Sequence, residues 1–178
     1  FAVGPNGKVY TAPKRNSYEI HVFNVDGTPD KIIAREFESW QRTADEYELV
    51  NKMMDLQTRN IPMEVKTEIC TTEPDITSLF IDEDGYLWVL TARAIREAEE
   101  GIMQTYDIFS PEGKFVKQVA VKCPGDGIKD GLIRGNANNW ILVRGFTDAI
   151  LSLQTQGAMA SEDEEPEPME IIGFEVVK

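Results

Sequence analysis

Phe80-Ile-Asp-Glu-Asp-Gly-Tyr-Leu-Trp-Val-Leu90 is the stretch whose reading decides the fold. Two apolar runs flank a short polar turn ending in Gly85. Asp-Gly between such runs signals a hairpin, because glycine enters the positive-φ region of the turn without steric cost. Tyr86-Leu-Trp-Val-Leu90 is apolar at every position, which suits a strand covered on both faces and predicts that Trp88 is buried between sheets.

The stretch repeats. Val3-Gly-Pro-Asn-Gly-Lys-Val-Tyr-Thr-Ala12 has the same strand–turn–strand form, and Leu132-Ile-Arg-Gly-Asn-Ala-Asn-Asn-Trp-Ile-Leu-Val143 is a weaker copy. A second unit recurs as Tyr18-Glu-Ile-His-Val-Phe-Asn-Val-Asp-Gly27 and Thr105-Tyr-Asp-Ile-Phe-Ser-Pro-Glu-Gly113, and its first half returns as Glu170-Ile-Ile-Gly-Phe-Glu-Val176. Repeated units of four antiparallel strands predict an all-β chain of β-propeller blades. The expected division is blade one at 1–38, a helical insertion at 39–74, blade two at 75–122, and blade three at 128–178 with an acidic loop at 155–169. In the insertion, Thr43-Ala-Asp-Glu46 is a capping box, and apolar residues at helical spacing follow. The helix expected there covers Ala44–Gln57.

Strands that alternate in direction place the first and third turns of every blade on one side. Those turns are short. The long segments Ser39–Pro74, Ala92–Met103 and Phe146–Pro168 all fall on the other side, where function carried by loops is expected. Blade three ends on its third strand, Glu170–Val176, with no fourth strand after it. About three blades are therefore expected to be half of a six-bladed ring, the exposed edge being taken by residues upstream or by a second polypeptide.

The chain has 178 residues, 42% of them apolar, and a net charge of −13. That charge argues against nucleic-acid phosphate as a partner. Ser161–Glu170 alone contributes six acids and no base, the composition of a solvated loop. No apolar run is long enough to span a bilayer.

Asp82-x-Asp-Gly-Tyr-Leu-Trp-Val89 followed by Tyr106-Asp-Ile-Phe-Ser-Pro-Glu-Gly-Lys-Phe-Val116 resembles the bacterial six-bladed propeller proteins of the NHL-repeat and TolB-like group, apparently their C-terminal half. Glu19-Ile-His-Val-Phe23 fits the same resemblance. It implies a secreted or periplasmic binding protein, and it covers most of the chain through structural hairpins.

Catalytic patterns are faint. His21 is the only histidine and sits within an alternating strand, so it has no second imidazole for a metal cluster. Asp82-Glu-Asp-Gly85 runs straight into a strand and lacks the twelve-residue spacing of a calcium loop. No Gly-x-Ser-x-Gly elbow or phosphate loop is present. The reading favoured is a non-enzymatic interaction module or scaffold that needs no cofactor and binds a protein partner, or the remaining half of its ring, through the long-loop face. Trp40, Tyr47, Met53, Met54 and Met103 are its candidate contact residues. The alternative is a calcium-dependent hydrolase of the lactonase or esterase kind, with an axial metal near Asp75, Asp130, Asn136 and Asn138. Cys70 and Cys123 flank blade two on the long-loop side, where a disulfide would form only if loops brought them within reach.

Overall fold

The computed structural model describes residues 1–59, 61–135, 139–154 and 169–175. Its strands form three antiparallel sheets. The first contains β1 (Ala2–Val3), β2 (Val9–Thr11), β3 (Glu19–Phe23) and β4 (Pro29–Ala34), in that order. The second contains β5 (Ile76–Ile81), β6 (Leu87–Thr91), β7 (Gln104–Phe109) and β8 (Phe115–Val121), again in chain order. The third runs β11 (Glu170–Glu175), β10 (Asn139–Arg144), β9 (Gly131–Arg134). The expected pairing of Glu170–Val176 with Trp140–Gly145 is present over Glu170–Glu175. Among the described residues β11 has a strand on one side only. The fold is thus mostly β with a few helices, as the repeats predict. The acidic loop at 155–169 lies outside the described residues except for Met169.

The chain divides into two compact units. Unit one is Phe1–Gln41 with Thr72–Pro124, and unit two is Arg42–Thr71 with Gly125–Lys178. In unit one the first and second sheets stack face to face, with β1 beside β5. Period-two alternation supplies the shared core. Tyr10, Ile20, Val22 and Ile33 point inward from the first sheet, and Leu87, Val89 and Phe109 meet them from the second. Gly113 lets the sheets approach: its φ is +86°, and a Cβ there would lie 3.0 Å from Ile33 Cγ1.

The other face of the second sheet carries Phe80, Trp88, Tyr106 and Ile108. Trp88 departs from expectation, being half-buried instead of enclosed. Its ring stacks on Phe80 at 5.3 Å, while its Nε1 donates to Asp82 Oδ2 at 2.9 Å in the adjoining turn. An indole with a polar edge satisfies its N–H by leaning toward that turn.

Unit two holds the third sheet, α1 (Ala44–Thr58) and α3 (Phe146–Gln154). The capping box is formed as expected: Thr43 Oγ1 accepts from Glu46 N at 3.2 Å, and Thr43 N donates to Glu46 Oε2 at 2.8 Å. Gln57 Nε2 donates to Gln154 Oε1 at 3.2 Å, joining α1 to α3. No helix among the described residues is long and apolar enough to cross a membrane.

Candidate functional site

The polar chemistry of unit one gathers around Asp107. This residue lies in β7, on the face that packs against the first sheet, and is 5% exposed. A carboxylate removed from water must be paired and hydrogen-bonded to be tolerated. Tyr18 Oη donates to Oδ2 at 2.8 Å, Arg35 Nη1 donates to the same oxygen at 2.7 Å, and Gln118 Nε2 donates to Oδ1 at 2.9 Å. Arg35 is held from both sides, its Cζ lying 5.3 Å from the Tyr18 ring centroid and 5.9 Å from that of Phe115. Burial pushes the Tyr18 phenol far above its ordinary range, and the negative charge of Asp107 pushes it further. Tyr106 is also raised, chiefly by burial. Its hydroxyl donates to Gln104 Oε1 at 2.7 Å.

Arg35 and Asp107 line an open cleft of about 410 Å³, together with Thr91, Arg93, Glu97 and Gln118. Five-residue α2 (Ala92–Arg96) starts on its edge, where Thr91 Oγ1 accepts from Ala94 N at 3.2 Å. Arg93 is committed to neighbours: Nη1 pairs with Glu97 at 2.6 Å, and Nε donates to the Glu38 carbonyl at 2.8 Å. Both oxygens of Asp107 likewise accept hydrogen bonds, and this carboxylate ties residues of the first sheet to the second.

Trp40 is half-buried in unit one, with the Arg93 guanidinium 5.9 Å from its ring centroid. Tyr47 is exposed on α1, and Met53 and Met54 are half-buried on the same helix. Met103 is 0% exposed, which corrects its reading as a surface contact. It fills the core, and its Sδ accepts from Cys123 Sγ at 3.1 Å. Cys70 and Cys123 are not joined in a disulfide, Cys70 being exposed and Cys123 half-buried.

Asp75 is 1% exposed, and its Oδ1 has no hydrogen-bond partner. Asp130 ties its own loop, Oδ1 accepting from Gly145 N at 2.9 Å and Oδ2 from Asp126 N at 2.8 Å. Asn136 and Asn138 lie outside the described residues. Among the described residues no group of three His, Cys, Asp or Glu side chains could hold a metal ion. The Tyr18–Arg35–Asp107 group is absent from the sequence reading. Its only local signal is one acid in the apolar run Tyr106-Asp-Ile-Phe109, and its partners stand 89 and 72 residues away.

No protein-family model matches the chain, and no curated protein matches it.

Proposed function

We propose that the protein is a non-enzymatic protein-interaction module built from propeller-type blades of the six-bladed kind, acting in an exported setting. The insertion 39–74 carries its partner-binding surface. The observation behind this reading is α1. A helix of its length is marginal in water unless an apolar face packs on something. Yet α1 has a complete N-terminal capping box and buries none of its residues. Tyr47 and Leu49 are exposed on it, and Ile61, Met63 and Val65 are exposed just beyond it. Apolar side chains gathered in one exposed segment mark a contact site for another protein. The propeller part rests on the face-to-face stacking of two four-stranded sheets whose first strands, β1 and β5, are neighbours.

The test is a photo-reactive amino acid placed at position 47 of the full chain in the cells that make it. A covalently captured protein is then purified and its affinity measured directly. Leu49→Glu and Met63→Glu should each weaken binding about tenfold or more, a loss of about 1.4 kcal/mol, with the circular dichroism spectrum unchanged. Unaltered affinity in both variants defeats the proposal. Lactone or ester turnover that chelation abolishes and calcium restores would replace it with the hydrolase reading.

A further inference from the structure

We infer that the cleft beside Arg35 binds a small zwitterion, an apolar amino acid or a short peptide ending in one, with the ligand carboxylate on the Arg35 guanidinium. Every residue lining the cleft belongs to unit one, so this binding site does not depend on α1 or on its partner.

Two arginines line the cleft, and they differ in the donors they have free. Arg93 is committed at all three nitrogens: Nη1 to Glu97 at 2.6 Å, Nη2 to Glu38 Oε2 at 3.3 Å, and Nε to the Glu38 carbonyl at 2.8 Å. Arg35 commits only Nη1, to Asp107 Oδ2. Among the described residues its Nε and Nη2 have no partner. Those two nitrogens form the side of the guanidinium that grips a carboxylate through two parallel hydrogen bonds. The group is also fixed before any ligand arrives, by the Tyr18 and Phe115 rings on either side and by Asp107. Ligand binding therefore loses little entropy in ordering this long side chain. With 41% of the side chain exposed, the free donors are within reach of a ligand.

Charge balance decides what else the ligand carries. Asp107 offsets Arg35, and Glu97 offsets Arg93. Glu99 also lines the cleft and is exposed, and among the described residues its carboxylate has no partner. A simple anion would enter a cleft with negative charge left over, whereas an ammonium group on the same ligand answers Glu99. Gln118 adds to this preference: its Nε2 is held by Asp107, which leaves Oε1 as an acceptor. Phe37, Ala94, Ala98 and Ile102 contribute apolar wall, which suits an apolar side chain. A cleft of about 410 Å³ stands at the small end of ligand sites and has room for an amino acid or a dipeptide.

The test is a nuclear magnetic resonance titration of the full chain with leucine and with leucyl-leucine, which differ in how far the ammonium stands from the carboxylate. At least one of them should bind saturably below about 10 mM, shifting the Arg35 Nε–H and the amides of α2. Leucinamide lacks the carboxylate and N-acetyl-leucine lacks the ammonium, and each should bind about tenfold or more weakly than leucine. Arg35→Lys keeps a positive charge beside Asp107 but loses the fork, and should weaken the better zwitterion by a similar factor. Glu99→Gln changes an exposed side chain and should leave the fold intact. It should remove the preference for leucine over N-acetyl-leucine. No saturable shift with either zwitterion in the folded wild-type chain overturns the inference. So does binding of leucinamide or N-acetyl-leucine as tight as that of leucine, or unchanged affinity in both variants. Photo-capture at position 47 reports on α1, so either result can fail without the other.

Discussion

Three donors meet Asp107 inside unit one: a phenol, a guanidinium and an amide. Removing the acceptor strands the Tyr18 hydroxyl and leaves Arg35 without its counter-ion. Arg35 is 41% exposed at the side chain, so water offsets part of that loss. Asp107→Ala should lower unfolding free energy by about 2–4 kcal/mol, read from urea denaturation. Tyr18→Phe removes one hydrogen bond and should cost only about 1 kcal/mol. Equal costs would show that Arg35 contributes nothing. The phenols also set an alkaline limit. Tyr18 and Tyr106 have folded-state pKa values raised above the unfolded value near 10. Each contributes stability that is fully present below about pH 10 and lost as pH rises toward its folded value. Stability should therefore fall steadily above about pH 10, and Tyr18→Phe should flatten that fall. A slope unchanged in the variant would remove Tyr18 as its source. None of this cluster was legible in the sequence beyond a lone acid in an apolar strand. Its partners are long-range, and single-sequence patterning reports neighbours along the chain.

Hairpins carry local information, and they were legible. The Gly-Pro-Asn-Gly, Asp-Gly and Pro-Glu-Gly turns fix where strands end because their glycines sit at positive φ, +75° at Gly7, +82° at Gly27 and +86° at Gly113. Strand positions followed to within a few residues, including the last strand, and so did α1 with its capping box. The short helices were missed. α2 is too brief to show a helical period, and α3 lies in a segment whose length suggested a loop. The burial of Trp88 was overestimated because apolar patterning counts an indole as wholly apolar. Two glycines in equivalent turns separate backbone strain from sheet packing. Gly27 faces open space, whereas a Cβ on Gly113 would meet Ile33. Gly27→Ala should cost about 1–2 kcal/mol for the left-handed backbone alone. Gly113→Ala should cost more, by about 1 kcal/mol or above, for overpacking the contact between the sheets. Equal denaturation midpoints for the two variants would mean that Ile33 moves aside freely.

At the scale of the whole chain, repeats in sequence became sheets of the same strand order, but the two compact units are not equally provided with core. Unit one encloses a continuous cluster reaching from Tyr10 and Ile20 to Val89 and Phe109, with Tyr18 tied to Asp107 across it. Among its described residues unit two buries Trp140, Leu142 and Val143 on one strand, and neither of its helices has a buried residue. Discontinuous units of this kind were not legible, since the insertion that joins unit two is distant in sequence from the third sheet. Local stability follows buried apolar contact, so openings that expose the third sheet should need less free energy than those that expose β3, β6 and β7. Native-state hydrogen exchange followed by mass spectrometry should show peptides from β3, β6 and β7 exchanging last. Peptides from β9 and β11 should exchange roughly a hundredfold faster, a gap of about 2.7 kcal/mol. In Leu142→Ala the difference should widen, because the variant removes a buried side chain from the third sheet. If β10 instead exchanges together with β7 in both proteins, the two units open as one, and a single cooperative core must replace the division argued from burial.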